Sequence, residues 1–172
     1  MRFTLDDFVR ESNRIEGIHR KPTQLEMDAH AAFLVMREMS VGTIEAFVGI
    51  VAGKPLRREP YMNVRVGSHT PPSGGVHIER ELAHICQNII CGDTESQCFA
   101  VHHQYETLHP FMDGNGRSGR ALWLWMMGGL ERAPLGFLHH WYYQSLSSER
   151  PSAKRTDRPS VTTEPATPAN QV

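Results

Sequence analysis

The chain has 172 residues, 40% of them hydrophobic, which suits one domain with a buried core. Its formal net charge of −1 provides no excess of positive charge for nucleic acid or an anionic membrane, and no apolar run reaches transmembrane length. The three cysteines form no Cys-x-x-Cys pair and the N-terminus lacks a signal-peptide core, so we expect a cytoplasmic protein with reduced thiols.

The first predicted helix spans residues 4–18. Thr4 is a candidate N-cap, Asp6 and Asp7 suit the positive end of the helix dipole, and Gly17 can end the helix. One face carries the apolar residues Leu5, Phe8, Val9 and Ile15. We expect this face to pack against the rest of the domain.

Two further helices are predicted before residue 53. Thr23 and Glu26 form a capping-box pattern that begins a helix running to about Met39. Its inward residues are predicted to be Leu25, Ala29, Ala32, Phe33 and Met36. A shorter apolar helix is predicted over 43–52, closed by Gly53.

Residues 57–72, which we call the arm, have a different pattern. Residues 61–66 alternate apolar and polar side chains with a period of two, which is typical of an extended chain. Both a β-hairpin and an irregular loop between helices are compatible with this pattern.

Helical patterns return after the arm, at 76–90 and at 95–108, the second behind a capping-box pattern from Thr94 to Gln97. Their predicted inward residues are Ile78, Leu82, Ile85, Cys86, Ile89, Cys98, Val101, Tyr105 and Leu108. A buried helix is expected over 121–130, with Trp123, Trp125, Met126 and Met127 at the centre of the core. With a short helix over 134–143, the prediction is an all-α fold of seven or eight helices, followed by a disordered tail over 145–172.

Between these helices lies the stretch HPFMDGNGRSGR, residues 109–120. Pro110 disfavours a helical conformation at His109, so the preceding helix should stop near Leu108. Glycines on both sides of an asparagine at 114–116 predict a tight turn where the next helix begins.

Such a turn forms an anion site, because free N–H groups and the helix dipole both point at it. Arg117 and Arg120 are three residues apart on one helix face, which favours the di- or triphosphate of a nucleotide. His109 is the only group of the stretch expected to titrate near neutrality, and is therefore the candidate general base.

The stretch resembles the Fic motif, His-x-Phe-x-Asp/Glu-Gly-Asn-Gly-Arg-x-x-Arg, at every defined position. The simpler interpretation is an ordinary helix–turn–helix with surface arginines, and the number of matching positions disfavours it. The resemblance implies a Fic-type helical bundle over residues 1–144. It also implies an enzyme that transfers AMP from ATP to a Tyr, Thr or Ser hydroxyl of a target protein.

The resemblance also implies a role for each residue of the motif. His109 would be the base, and Asp113 would hold a Mg²⁺ that bridges the phosphates. The α- and β-phosphates would be cradled by backbone N–H groups and the amide within Gly114, Asn115 and Gly116. Arg117 would bind the β-phosphate and Arg120 the γ-phosphate.

A second match to the family lies in the first helix, where Ser12 to Gly17 fits the inhibitory motif Ser/Thr-x-x-x-Glu-Gly/Asn. The resemblance implies that Glu16 pairs with Arg120 and occupies the place of the γ-phosphate, since one guanidinium cannot serve both anions. Without the resemblance, Glu16 would be a solvated residue at a helix end.

The arm is similar to the β-hairpin flap that precedes the core motif in this family and covers the active site. A target segment would dock on its edge by main-chain strand addition. The docking residues are expected to be Asn63, Val64, Arg65, Val66 and Gly67.

Several alternatives stay open. A family branch with Lys at the position of Gly114 acts as a kinase, whereas Gly favours nucleotidyl transfer; UMP or phosphocholine transfer, and the reverse removal of AMP, also occur on similar motifs. A catalytically silent helical binding module is the alternative from another class. Self-modification and homo-oligomerisation are further expectations, by analogy with similar members.

Overall fold

The structure is a computed structural model that describes residues 3–133, and six α-helices make up most of that range. They are α1 Leu5–Ile15, α2 Gln24–Leu34, α3 Val41–Val51, α4 Val76–Gln87, α5 Glu95–Leu108 and α6 Asn115–Met126. The all-α class is confirmed, whereas the helix predicted over 134–143, the domain limit at 144 and the tail over 145–172 lie outside the described residues.

Helix α6 is the centre of the bundle. All twelve of its residues are buried, and it contacts α1, α2, α3 and α5. Trp123 and Trp125 fill the core as predicted, and the Trp125 indole donates to the Met36 carbonyl at 2.9 Å. Because this helix also carries two arginines and an asparagine, those polar groups are buried with it.

Local capping determines where several helices begin. Thr4 with Asp7 and Thr23 with Glu26 form reciprocal capping boxes, as in the predicted pattern at Thr23. Thr94 caps α5 by accepting from the Gln97 N–H at 3.4 Å, but the reciprocal bond is not formed, so the second predicted capping box is only half present.

Helix α2 departs most from prediction. It ends at Leu34 rather than near Met39, and Leu25 (61% exposed), Met36 (40% exposed) and Ala32 face outward, which contradicts their predicted burial. The buried face instead carries Glu26, Ala29, His30 and Phe33. Glu26 can be buried because its carboxylate accepts hydrogen bonds from Arg20 and from Thr23.

The arm contains little β-structure. Among the described residues the only β-pairing is two isolated antiparallel bridges, Leu56 with Phe111 and Val66 with His69. The expected β-hairpin is thus reduced to a two-residue turn at Gly67 and Ser68 closed by one bridge. Neighbouring strands are needed to stabilise a longer hairpin. No helix within residues 3–133 is long and apolar enough to cross a bilayer.

Candidate active site

The connection from α5 to α6 begins with a strained residue. His109 has φ 49° and ψ 62°, in the left-handed region, and is the one non-glycine residue of the described chain with a positive φ. Its N–H donates to the Tyr105 carbonyl at 2.9 Å and closes α5, as the following proline predicts. His109 is therefore the first residue of the loop after α5 and does not lie on a face of the helix.

The imidazole of His109 is half-buried. The pKa of this ring is lowered to about 4, mainly because the ring is buried. A hydrogen bond with the Glu106 backbone raises the pKa, and the nearby positive charge of Arg57 lowers it further. The expected titration near neutrality is therefore wrong. At pH 7 the ring is neutral, which is the form that can accept a proton.

Asn115 fixes the shape of the loop. Its side-chain oxygen accepts from the Phe111 N–H and its side-chain nitrogen donates to the Phe111 carbonyl, both at 2.8 Å. Phe111 is fully buried and forms an antiparallel β-bridge with Leu56. Since the oxygen and one N–H of the amide are used within the loop, Asn115 can offer an anion its backbone N–H and at most the second N–H of its side chain.

We expect Asn115→Ala to lower the free energy of unfolding by about 2–4 kcal/mol, because it leaves a buried N–H and a buried carbonyl without partners. Urea denaturation measures this. Asn63→Ala is the matched control, since it removes an amide with the same two kinds of bond, from the Gly74 N–H and to the Pro60 carbonyl, at an exposed position, and should lose less. Equal losses of unfolding free energy in both variants would contradict the role of Asn115 in holding the loop.

The residue that precedes α6, Gly114, has to be glycine. Gly114 has φ 83°, and a Cβ there would lie 2.7 Å from the Ala52 Cβ. No side chain in the described part of the chain caps this helix end, so its first N–H groups remain available to an anion. The adjacent Asp113 carboxylate is exposed and accepts from the Gly114 N–H at 2.6 Å.

The two arginines of the motif engage different helices. Arg117 Nη1 donates to the carbonyl of Val51 at the end of α3, while its Nε is buried without a hydrogen-bond acceptor in residues 3–133. Arg120 is fully buried and donates from Nε to Ser12 Oγ and from Nη2 to the Ser12 carbonyl, each at 2.9 Å. Helix α1 therefore holds Arg120 in place.

Glu16 lies on the anion site itself. Its Oε1 accepts from Arg120 Nη2 at 2.7 Å, and a Cβ on Gly116 would be only 2.2 Å from that same oxygen. The carboxylate thus rests against the first turn of α6, near the positive end of the helix dipole. The Glu16–Arg120 contact that the resemblance implied is present in the geometry.

The residues predicted for docking lie on the exposed part of the arm. Asn63, Arg65, Val66 and Gly67 are exposed and Val64 is partly so. The Asn63 side chain accepts from the Gly74 N–H at 3.1 Å, and His69 Nε2 lies 3.2 Å from the Thr107 carbonyl on α5. The arm is therefore attached beside the end of α5 that carries His109.

Sequence reasoning missed two ionisable side chains near the site. Glu106 has a buried Oε1 without a hydrogen-bond partner in the described residues, and burial raises its pKa to about 7. A Cβ on Gly119 would lie 2.3 Å from that oxygen, so the glycine leaves room for it. Arg57, the second, is fully buried against backbone carbonyls. Neither lies in a motif, so no local signal could have found it.

No group of three or more His, Cys, Asp or Glu side chains within residues 3–133 is arranged to hold a metal ion. Asp113 offers one exposed carboxylate, with one oxygen already bonded to the Gly114 N–H. This donor set suits a Mg²⁺ that arrives with phosphates and obtains its other ligands from them and from water.

Comparison with known proteins gives one match. A family model described as Fic/DOC family matches residues 11–127, a range that runs from the middle of α1 to just past the end of α6. A search of the curated proteins found no significant match.

Proposed function

The chain belongs to the Fic/DOC family, and on that premise we propose that it is a protein adenylyltransferase, which transfers AMP from ATP to a Tyr, Thr or Ser hydroxyl of a target protein. The proposal rests on three features that occur together at the loop between α5 and α6. A neutral imidazole, that of His109, precedes an uncapped helix N-terminus, and Arg117 presents a buried guanidinium from that helix.

In the proposed reaction, His109 takes the proton of the target hydroxyl as its oxygen attacks the α-phosphorus. The new bond joins that oxygen to the α-phosphorus, the bond from the α-phosphorus to the α–β bridging oxygen breaks, and pyrophosphate leaves. A general base typically contributes about 10²–10⁴-fold to such a step. The remainder would come from placing the reacting groups and stabilising the phosphate charge.

The phosphates would bind at the start of α6. Backbone N–H groups of Asn115 and Gly116 would hold the α- and β-phosphates, since that of Gly114 donates to Asp113. Arg117 would donate to the β-phosphate through its unsatisfied Nε, and Arg120 would donate to the γ-phosphate. Asp113 would hold Mg²⁺, which supplies neutralisation of the phosphate charge. The lone carboxylate and the uncapped helix end are the observations that support this arrangement.

In the proposed resting state, Glu16 keeps the γ-phosphate out. Its carboxylate holds Arg120 Nη2 at 2.7 Å and rests against Gly116, where a second anion would be repelled. The target would dock on Asn63 to Gly67, beside the end of α5.

The test uses ATP labelled at either the α- or the γ-phosphate, with the Glu16→Gly variant. The protein itself and a set of synthetic peptides containing Tyr, Thr or Ser serve as hydroxyl donors. We expect the α-label, and not the γ-label, to become attached to protein or peptide. Transfer of the γ-label alone would instead indicate a kinase. Preferential labelling from α-labelled UTP would indicate a UMP transferase, and absence of labelling by the folded variant would contradict the proposal.

A further inference from the structure

Two consecutive arginines at the base of the arm have opposite environments. Arg58 forms ion pairs with Glu45 (2.5 Å) and Glu79 (3.0 Å), so it links α3 to α4 at a partly exposed position. Arg57 is 0% exposed, and all four of its side-chain hydrogen bonds go to backbone carbonyls. A buried guanidinium bonded in this way needs an explanation, since burying a charge is costly.

The acceptors of Arg57 fall into two groups that are far apart in the sequence. At the end of α5, Nε donates to the His109 carbonyl at 2.8 Å and Nη2 to the Leu108 carbonyl at 2.9 Å. In the arm, Nη1 donates to the carbonyls of Pro72 (2.8 Å) and Met62 (3.2 Å). The planar guanidinium of Arg57 therefore links the arm to the backbone of His109.

The energetic reason for this placement is the end of α5. The last carbonyls of a helix carry partial negative charge and have no intrahelical donors, so a cation there is stabilised. The contact also restrains His109, whose left-handed backbone is unfavourable by about 1–3 kcal/mol for a residue with a side chain. With its N–H bonded to Tyr105 and its carbonyl to Arg57, His109 is held on both sides.

We infer that Arg57 is a positioning residue that fixes the position of His109 relative to the arm. A hydroxyl docked on the arm would then meet the imidazole in a reactive geometry. The consequence for catalysis rests on the proposed function. The mechanical link between the arm and His109 does not, because it concerns only these hydrogen bonds.

The test compares Arg57→Met, Arg57→Lys and Arg58→Met, each combined with Glu16→Gly. Arg58→Met is the matched control, because it removes the neighbouring guanidinium together with two ion pairs but leaves the carbonyls of His109 and Met62 bonded. For transfer of the α-label from ATP to a synthetic peptide, we expect Arg57→Met to lower kcat by about 10²-fold, the usual cost of a misplacement near 1 Å, with the KM for ATP within about threefold of the parent. Arg57→Lys should not restore kcat, since an ammonium keeps the charge but lacks the fork.

A second readout needs no activity: the titration midpoint of the His109 imidazole by NMR. Arg57→Met should raise it, because a nearby positive charge is removed and the ring becomes more exposed. Arg58→Met should leave it unchanged. His69 and the backbone of Glu106 also act on this ring and are the same in all the variants, and the Glu16 carboxylate, which raises the pKa of the ring, is absent from all of them alike. Arg57→Lys keeps the positive charge but lacks the fork, so a raised midpoint in that variant, which we also expect, reports a moved ring rather than a lost charge. It also gives the comparison if Arg57→Met does not fold.

Two results would overturn the inference: a kcat for Arg57→Met within threefold of the parent, or the same His109 midpoint in the Arg57 and Arg58 variants. Should the parent label nothing with any nucleotide, the adenylyltransferase proposal fails by itself. The NMR titration would still decide whether Arg57 positions His109.

Discussion

Replacing His109 with alanine is expected to lower AMP transfer by about 10²–10⁴-fold, the contribution of a general base. The physical reason is that the only other base among residues 109–120, the exposed Asp113 carboxylate, is assigned to Mg²⁺ in the proposed site. The measurement is incorporation of α-label from ATP into protein or peptide, with the Glu16→Gly variant as the active parent.

Two controls make the result specific to the imidazole. His109→Asn tests the backbone, because asparagine tolerates the left-handed conformation better than most residues and carries no base; it should be as inactive as the alanine variant. His103→Ala removes an exposed histidine from the same helix and should keep the parent's activity. If His109→Asn retains more than a tenth of the parent's rate, the imidazole is not the base.

The pH profile gives the same prediction in another form. Because burial lowers the pKa of His109 to about 4, the ring stays neutral from pH 8 down to about pH 5. We expect kcat/KM to be flat over that range and to fall as the pH drops through about 4, as the ring gains a proton. An inflection between pH 6 and 7 would indicate either a more exposed ring in the complex with substrate or a different base.

Glu16→Gln is expected to raise AMP transfer about 10- to 100-fold at low ATP concentration. A hydrogen bond to a charged group is worth about 1.5–3 kcal/mol, and each 1.4 kcal/mol corresponds to a factor of ten. The variant removes the negative charge that competes with the γ-phosphate for Arg120. Arg120 keeps its place because both of its bonds to Ser12 remain.

The control for Glu16 lies on the same helix. Asp6 forms an ion pair with Arg10 in which both side chains are 46% exposed, and it lies ten positions before Glu16, about 15 Å along a helix, so Asp6→Asn makes the same chemical change far from Arg120. It should leave the rate unchanged. The gain in Glu16→Gln should appear mainly as a lower KM for ATP, which equilibrium binding of ATP can confirm. Equal activity of Glu16→Gln, Asp6→Asn and the unmodified chain would mean that Glu16 does not restrain this site.

Features that depend only on residues close together in the sequence could be predicted from the sequence alone. A helix period of 3.6, apolar runs and local caps predicted that six helices exist in the described range and that Trp123 and Trp125 are buried. The bounds of α6 were wrong: the helix spans Asn115–Met126 rather than 121–130, because its first turn carries the glycines and arginines of the motif instead of an apolar run. The motif is contiguous, so one turn is enough to bring His109 to the start of α6. The pairing of Glu16 with Arg120 came from resemblance to a known family, because their separation of 104 positions carries no local signal.

Other features were decided by tertiary contacts. The exposed face of α2, the near absence of strands in the arm, the low pKa of His109 and the use of the Asn115 amide within its own loop all depend on what packs against each group. Arg57 is the clearest case, since its partner His109 is 52 positions away. The amino-acid sequence determined which helices form and which chemistry they carry. Burial and long-range hydrogen bonds, which arise only when the helices assemble, decided how those groups are charged, held and linked.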